Sequence, residues 1–249
     1  NGCTGNRNYT LVINCQTITV NPASISIGHA GLLYNQAFTQ TNGVGAITFS
    51  LTGTLPSGVS FSIGTLSGTP TQTGSYPISI SATDANNCST TRSYTLVINC
   101  QTITVNPTTI SSGAAGTAYT QTFTQTGGVG TTTFALTGTL PTGLTLSGAT
   151  LSGTPTQTGS FPITVTATDA NGCTGSRSYT LVINCQTISI LPATIPAGTA
   201  NSVYSQSFTH NGGIGAVSFT QNGKLPAGMT FTGDTLSGTP MQTGSYPIF

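Results

Sequence analysis

The chain has 249 residues, of which 3% are charged, and its four basic and three acidic side chains give a net charge of +1. This balance cannot supply the phosphate contacts on which nucleic-acid affinity depends, so nucleic acid is excluded as a main partner. No apolar run approaches the ~20 residues of a membrane-spanning helix, so no membrane span is predicted. Residue 1 is Asn, and we expect the sequence to be a processed product or an excerpt.

In chain order, the six cysteines reveal an internal repeat. They fall into two series with a constant spacing of 85 residues: Cys3, Cys88 and Cys173; Cys15, Cys100 and Cys185. Whole phrases recur with the same spacing, since LSGTPTQTGSYPI from Leu66 returns as LSGTPTQTGSFPI from Leu151. Self-similarity at a fixed period is the signature of a repeat architecture.

The middle copy of the repeat contains short segments in which apolar and hydroxylated residues alternate, as in half-buried β-strands. These predicted strands are 103–105, 119–124, 132–136, 144–146, 161–168 and 179–183. Leu-Pro-Thr-Gly at 140–143 predicts a turn, and the Asn- and Gly-rich segment 170–176 predicts a hairpin connection. About seven strands fit a small sandwich. The predicted fold class is therefore all-β, with tandem immunoglobulin-like β-sandwiches of 85 residues each arranged as a linear rod.

The repeat divides the chain into four segments. We predict that 15–99 and 100–184 are complete repeats, that 185–249 is a third repeat lacking its last strand, and that 1–14 is the last strand of a preceding or neighbouring-subunit repeat. Two explanations stay open. The sequence is an excerpt of a longer repetitive protein, or residues 1–14 complete the third repeat of a neighbouring copy by strand donation. Both predict head-to-tail assembly.

A succession of short motifs also recurs in each repeat. In the middle copy it comprises Gly-x-x-Tyr-x-x-x-Phe from Gly116, Leu-Pro-x-Gly-Leu-x-Leu from Leu140, Leu-Ser-Gly-Thr-Pro-x-x-x-Gly-Ser from Leu151, and Ala-Thr-Asp-Ala-Asn-Gly-Cys from Ala167. This succession resembles the immunoglobulin-like repeats of large bacterial surface and secreted proteins, which have a cadherin-like sandwich. The resemblance covers essentially the whole chain. It implies a setting in stalks, adhesins and spacers, and it implies no shared catalytic residues.

The strand pattern indicates which cysteines pair as disulfides. Cys88 and Cys100 flank a continuous predicted strand at 92–99. Eight residues at ~3.3 Å each separate its ends by ~25 Å, well beyond the ~7 Å limit for the Cα atoms of a cystine. Because the first strand of an up-and-down sandwich begins at the end where the last hairpin lies, we predict the bonds Cys15–Cys88 and Cys100–Cys173.

Cys3 and Cys185 have no partner within a repeat, so we predict that they form an inter-unit or inter-subunit disulfide. Reduced thiols and a metal site are the alternatives for the six cysteines. The sequence has no Cys-x-x-Cys, and His29 and His210 do not occupy matching positions of the repeat, which disfavours metal. We predict no metal and no cofactor.

The few charged residues form no recognisable catalytic pattern. No two of the three acidic residues share a repeat, which argues against a carboxylate pair for acid–base catalysis and against a calcium site of the cadherin kind. Asp84 and Asp169 precede Arg92 and Arg177 by the same spacing, so each pair is predicted to form a structural ion pair across the last hairpin. We predict that the protein is not an enzyme.

Tandem sandwiches that contact mainly their neighbours provide length. The sequence therefore predicts a structural component of an extracellular bacterial filament or cell-surface stalk, built from disulfide-clamped repeats. A nearly uncharged surface lacks the Lys and Glu that protect strand edges, so copies are expected to associate laterally in addition to the head-to-tail assembly predicted above. The alternative is an adhesin or glycan-binding segment that contacts a glycan or surface ligand through loops that differ between repeats, at 28–33, 112–117 and 198–203.

Overall fold

The computed structural model describes all 249 residues, which form β-strands and connecting loops. The two complete 85-residue repeats fold as tandem immunoglobulin-like domains. The fold class predicted from the alternation of apolar and polar residues is therefore confirmed as all-β. No helix in the structure has the length and apolarity needed to cross a membrane.

The first repeat contains nine short strands. They are β1 (Thr19–Asn21), β2 (Gly28–His29), β3 (Tyr34–Ala37), β4 (Thr39–Thr41), β5 (Thr48–Gly53), β6 (Val59–Ser62), β7 (Thr65–Gly68), β8 (Gly74–Thr83) and β9 (Ser89–Asn99). They form a four-stranded sheet in the order β2-β9-β8-β5, a three-stranded sheet in the order β3-β7-β6, and the pair β1-β4. The last strand, β9, is thus an interior strand of the larger sheet.

The second repeat reproduces this arrangement strand for strand. Its strands are β10 (Thr104–Asn106), β11 (Gly113–Ala114), β12 (Tyr119–Thr122), β13 (Thr124–Thr126), β14 (Thr133–Gly138), β15 (Leu144–Ser147), β16 (Thr150–Gly153), β17 (Gly159–Thr168) and β18 (Thr174–Asn184). The sheet orders are β11-β18-β17-β14, β12-β16-β15 and β10-β13. The interior position of β18 matches that of β9.

The structure divides the strands more finely than the sequence predicts. The predicted strand 119–124 is broken at Phe123, whose N–H donates to the carbonyl of Ala149 at 2.8 Å while its ring is buried in the core. The two-residue strand β11 pairs in parallel with β18. The sequence does not predict it, because two residues are too few to show an alternation of apolar and polar side chains. The predicted turn at 140–143 is present, closed by the Leu144 N–H bonding to the Pro141 carbonyl at 3.2 Å.

The core of each complete repeat is built by alternate side chains of its two longest strands. In the second repeat, Ile163, Val165 and Ala167 of β17 and Leu181 and Ile183 of β18 are buried. The intervening threonines and serines face outward and hydrogen-bond across the strands, as between Thr164 and Ser178 at 2.9 Å. Each fully buried Leu, Ile or Val contributes ~1.5–3 kcal/mol relative to exposure. These two strands therefore supply much of the domain's stability.

Residues 185–249 form a smaller set of strands. They are β19 (Ser189–Leu191), β20 (Tyr204–Ser207), β21 (Thr209–Asn211), β22 (Met229–Thr232) and β23 (Thr235–Gly238). Their sheets, β20-β23-β22 and β19-β21, match the three-stranded sheet and the strand pair of the complete repeats. A counterpart of the four-stranded sheet is not formed, because no strand here corresponds to β9 or β18. At the other end of the sequence, residues 1–17 are exposed and form no strand.

The chain divides into two compact units whose boundaries cut across the second repeat. Unit 1 comprises Asn1–Val105, Gln125–Phe134 and Thr166–Ser176, and unit 2 comprises Asn106–Thr124, Ala135–Val165 and Arg177–Phe249. Within unit 1, Asn171 Nδ2 donates a hydrogen bond to the carbonyl of Thr71 at 3.0 Å. One end of the second repeat therefore belongs to the same compact unit as the first repeat.

Candidate functional site

Two disulfides lie at the last hairpin of the complete repeats. Cys15 is bonded to Cys88, with their Cα atoms 5.5 Å apart, and Cys100 is bonded to Cys173, with their Cα atoms 5.6 Å apart. Both bonds join residues separated by 73 positions. They connect the cysteines that strand geometry pairs, because the segment entering each repeat reaches the hairpin between its last two strands.

The Cys100–Cys173 disulfide connects the end of β9 covalently to the start of β18. Cys100 directly follows β9, and Cys173 directly precedes β18. In the same way, the bond from Cys15 reaches Cys88, directly before β9. A covalent route from Cys15 to Cys185 therefore runs through two disulfides and two strands. It bypasses the rest of both repeats.

The aspartate of each last hairpin organises the turn. Asp84 Oδ1 accepts the backbone N–H groups of Asn86 at 2.9 Å and Cys88 at 3.0 Å, and Oδ2 accepts that of Val44 at 3.1 Å. The bond from Val44 is the main cause that lowers the pKa of Asp84, and the other two N–H groups add to it against the opposing effect of burial. The carboxylate thus holds the bonded cysteine in place.

Asp169 makes the equivalent contacts in the second repeat. Its Oδ1 accepts from the N–H groups of Asn171 and Cys173, and its Oδ2 accepts from that of Val129, each at 2.9 Å. Like Asp84, it is a buried carboxylate. The recurrence of all three bonds shows that the motif Ala-Thr-Asp-Ala-Asn encodes one specific turn.

The basic residue of the last strand binds the first strand of its repeat. Arg92 Nη1 donates to the carbonyls of Val20 at 2.6 Å and Pro22 at 3.5 Å. The hydroxyl of Tyr94 donates to Pro22 at 2.7 Å, and burial raises its pKa while Arg92 partly offsets that effect. Arg92 and Asp84 therefore bind backbone groups of different segments, and the ion pair predicted between them is not formed.

The second repeat contains the corresponding tyrosine bond. The hydroxyl of Tyr179 donates to the carbonyl of Pro107 at 2.7 Å. Burial raises the pKa of Tyr179, and the positive charge of Arg177 acts in the opposite direction. The ion pair between Arg177 and Asp169 stays a prediction.

Cys3 and Cys185 are unbonded and exposed. Cys3 lies in the exposed segment 1–17, and Cys185 directly follows β18. The inter-unit or inter-subunit bond predicted for these two cysteines stays a prediction.

An apolar groove of about 440 Å³ opens in residues 185–249. Its lining includes Gly198, Tyr204, Leu236, Tyr246 and Ile248. In the complete repeats, the equivalent space is filled by an isoleucine of the last strand. A Cβ built on Gly28 would lie 2.6 Å from Ile98 Cδ1, and one on Gly113 would lie 2.8 Å from Ile183 Cδ1. For a Cβ built on Gly198, the three nearest atoms all belong to the ring of Tyr204, the nearest at 3.2 Å.

The side chains with potential for chemistry are dispersed. His210 Nδ1 lies 2.9 Å from the carbonyl of Gly212. Nowhere do three or more His, Cys, Asp or Glu side chains come together as a metal site would require. Of the loops proposed to bind ligands, 28–33 and 198–203 each end in an exposed apolar residue, Leu33 and Val203. These two loops thus present apolar side chains to solvent.

Sequence comparisons identify relatives of the chain. Residues 16–99 and 101–184 each match the family described as "Putative Ig domain". The "Serine-rich adhesin for platelets" of Staphylococcus aureus strain MSSA476 is 36% identical over 172 residues, covering 66% of this chain and 7% of that protein. In strain MRSA252 the identity is the same and the match covers 12% of the protein. The chain thus spans a small part of the length of these relatives.

Structural comparisons return solved structures at low identity and low TM-score. The D00-D0 domain of Intimin has 17% identity and a TM-score of 0.28, with coverage of 67% of this chain and 99% of that one. The fibronectin(III)-like modules of Clostridium thermocellum CbhA have 16% identity and a TM-score of 0.26, with coverage of 68% and 95%.

Proposed function

Since the chain belongs to the immunoglobulin-like domain family that its two complete repeats match, we propose that it is a load-bearing spacer in an extracellular bacterial filament or surface stalk. The observation that carries this proposal is the covalent route through the disulfides. It runs from Cys15 across the bond to Cys88, along β9 to Cys100, across the bond to Cys173, and along β18.

A pulling force applied along the chain would follow this short route. The residues between Cys15 and Cys88, and those between Cys100 and Cys173, lie in closed loops that carry no tension while the disulfides are intact. Unfolding of such a loop therefore adds no length. A spacer built in this way holds its partners at a fixed distance even when a domain loses its fold.

The strands on this route are well supported. β9 lies between β2 and β8, and its pairing with β8 continues from Ser89 opposite Thr83 to Ile98 opposite Gly74. Arg92 and Tyr94 add hydrogen bonds from β9 to the carbonyls near β1. Because hydrogen bonds on both sides of a strand must break before it moves, the loaded segment is held on both sides.

The disulfides and the sequence similarity to known proteins support an extracellular setting and a non-enzymatic role. Disulfides persist in oxidising environments such as the outside of the cell. A relative of these repeats is named as an adhesin for platelets. Members of immunoglobulin-like repeat families generally serve as spacers and binding modules, and the dispersed ionisable residues of this chain fit that role.

Single-molecule force spectroscopy on the full chain tests the proposal, with the pulling points at residue 1 and at the exposed, unbonded Cys185, so that residues 186–249 carry no load. With the disulfides intact, neither complete repeat should release a long segment. With reductant, each should add a step of ~25 nm, because 73 residues extend to at most ~3.6 Å each.

A matched variant assigns the steps to individual repeats. Cys100→Ser/Cys173→Ser should show one long step without reductant, from the second repeat, while the first repeat stays closed. Steps of ~25 nm from the unreduced wild-type chain would refute the proposed load path.

The second candidate is an adhesive segment that binds a glycan or another surface ligand. It is favoured by the similarity to the platelet adhesin and by the exposed apolar loop residues Leu33 and Val203. A glycan and host-protein array probed with the full chain tests this alternative. It predicts a signal that falls in Leu33→Thr with an unchanged melting temperature. If the array shows no binding and the force measurements give the result expected above, only the spacer role remains.

A further inference from the structure

We propose that the outer edge of β5, and the equivalent edge of β14 in the second repeat, is an interaction surface that pairs with the same edge of a second copy of this chain. The four-stranded sheets of the two copies would thereby join into one continuous sheet. This inference concerns lateral assembly of copies. It is independent of the load path proposed above, because β5 and β14 lie outside that path.

Both strands lie at the edge of the larger sheet of their repeat. β5 is the last strand in the order β2-β9-β8-β5, and β14 is the last in the order β11-β18-β17-β14. In an antiparallel pair, alternate residues direct their N–H and C=O groups away from the partner strand. No backbone group of residues 48–53 or 133–138 bonds to a segment outside its own sheet. Each edge therefore offers a row of unpaired donors and acceptors.

The edge of β5 is the longest that the first repeat leaves open. β5 has six residues, against four in β3 and in β6, which flank the smaller sheet, and two in β2. The part of β9 that β2 leaves without a partner strand is bound in another way, because Arg92 and Tyr94 donate to the carbonyls of Val20 and Pro22. A second chain would therefore form its longest ladder at β5.

The two edges lack the features that usually prevent pairing with another chain. Proteins protect an exposed edge with charged side chains, a proline or a β-bulge. The sequences are Thr-Phe-Ser-Leu-Thr-Gly in β5 and Thr-Phe-Ala-Leu-Thr-Gly in β14, with no charged residue and no proline. β5 pairs with β8 residue for residue from Thr48 to Gly53, so it has no bulge. Its edge is therefore open to a strand from outside the repeat.

The core-facing side chains of the edge strand are incompletely buried. Phe49 and Leu51 pack against the core of the first repeat but stay partly exposed. Ala82 and Ile80, which lie opposite them on β8, are both 0% exposed. The equivalent Phe and Leu of β14 are partly exposed in the same way. A further strand at this edge would cover apolar surface that the repeat itself leaves in contact with water.

The sequence of the edge is complementary to itself in the antiparallel orientation. Gly53 has a φ of +115°, so the regularly extended part of the strand is 48–52. Pairing the whole of this part places Ser50 opposite its own copy and Phe49 opposite Leu51, with a threonine opposite a threonine at each end. Apolar side chains then meet on the core face and hydroxyls on the outer face. A shift of one residue would reverse these faces.

Such a pairing has two-fold symmetry, so the same surface serves both copies. β14 differs from β5 only in having Ala135 where β5 has Ser50, and both side chains are exposed. The edge of either repeat therefore fits the edge of either repeat of a second copy. Side chains directly opposite each other in such a ladder lie ~4.5–5.5 Å apart. A charge at position 50 or 135 would thus lie close to its equivalent in the other copy.

Charge variants of the full chain test this pairing. The lysine variant carries Ser50→Lys and Ala135→Lys, and the glutamate variant carries Ser50→Glu and Ala135→Glu. The reference chain and all variants also carry Cys3→Ser and Cys185→Ser, which excludes intermolecular disulfides. Sedimentation velocity over a concentration series measures association.

We expect the reference chain to associate and each charge variant alone to associate at least ~tenfold more weakly, because like charges directly opposite each other destabilise a strand pair. An equal mixture of the lysine and glutamate variants should associate at least as strongly as the reference chain, since opposite charges then meet. Recovery in the mixture also shows that the weakening in each variant is not a loss of folding.

The matched control moves the same charge one strand inward. Ser81→Lys/Thr166→Lys alters the outer face of β8 and β17, and Ser81 lies opposite Ser50. In the proposed pairing, a lysine at position 81 would lie three strand spacings, ~14 Å, from its equivalent, where salt screens the repulsion. This control should associate like the reference chain. A monomeric reference chain, equal weakening by the edge and control lysines, or a mixture that does not associate would each overturn the proposal.

Discussion

The two complete repeats and residues 185–249 have nearly the same sequence pattern but differ in one sheet. In the complete repeats, β9 or β18 lies inside a four-stranded sheet and covers the first strand, so Val20 and Val105 are buried. In residues 185–249 this strand has no counterpart, the four-stranded sheet is not formed, and Ile190 is exposed. The other two sheets are the same in all three. The last strand is therefore the element that closes the sandwich.

The comparison also distinguishes the strand pairs that form without the last strand from those that require it. The pairs β20-β23 and β22-β23 form with the same register as β3-β7 and β6-β7, because both partners of each pair are present within residues 185–249. In the complete repeats the penultimate strand instead pairs with the last strand, which also covers the side chain of the first strand. Four measurements test how far closure depends on the last strand.

The largest effect is expected for a leucine that occurs in both settings. Leu181→Ala should lower the free energy of unfolding of the second repeat by ~2–5 kcal/mol, because a fully buried leucine leaves a cavity. Leu11→Ala, in a nearly identical sequence, should leave the stability of the monomer unchanged, since Leu11 is exposed. Urea unfolding, with the transition of each repeat followed separately, gives both values. Equal losses in the two variants would contradict the comparison.

Removal of the disulfide of the second repeat is expected to rank next. Cys100→Ser/Cys173→Ser should lower its unfolding free energy by ~2–4 kcal/mol, because the unfolded chain is no longer closed into a loop. Thermal unfolding by calorimetry should show one transition moving to lower temperature. Cys185→Ser serves as the control, as this thiol is unbonded and its loss should move no transition of the monomer.

A smaller loss is expected where an added methyl group meets the last strand. Gly113→Ala should cost ~1–3 kcal/mol, because its Cβ would lie 2.8 Å from Ile183 Cδ1 in a packed core. Gly198→Ala should cost less, since its Cβ would lie 3.2 Å from the ring of Tyr204 beside an open groove. Denaturant midpoints of the two variants provide the measurement. The interpretation of the groove fails if Gly198→Ala is the more damaging change.

The smallest effect is a dependence of stability on pH through Asp84. Its pKa in the folded protein is lowered below the ordinary value of 3.8, so its contribution is fully present at neutral pH and is lost as the pH falls through the folded pKa. Melting temperatures between pH 6 and pH 2 should therefore decline for the first repeat below about pH 4, and less so in Asp84→Asn. Asp234→Asn, at an exposed site, should leave the profile of the first repeat unchanged. A profile that Asp84→Asn does not alter would assign the decline to other groups.

The sequence predicts the repeat, the all-β class and the positions of the two long strands because these depend on periodicity alone. The disulfide partners of Cys88 and Cys173 are also predictable, since an extended strand is too long to let its ends meet. The break in the strand at Phe123 is not predictable from the sequence. It arises because the N–H of Phe123 donates to the carbonyl of Ala149, which is distant in sequence.

The charged residues show the same limit of sequence reasoning. Asp84 and Arg92 suggest an ion pair by their spacing and opposite charges. Their partners are backbone groups of Val44, Asn86 and Cys88 for the carboxylate and of Val20 for the guanidinium. Every residue has a backbone C=O group, and every residue except proline has a backbone N–H group. Composition therefore cannot indicate which of these backbone groups a side chain will bind.

The binding of Arg92 to the first strand has a consequence for proteolysis. A protease that cuts after basic residues, such as trypsin, needs an extended and accessible segment. Arg92 and Arg177 lie within β9 and β18 and are only partly exposed, whereas Arg7 and Lys224 lie outside the strands and are exposed. Limited digestion of the folded chain should therefore leave residues 8–224, with both complete repeats, as one resistant fragment.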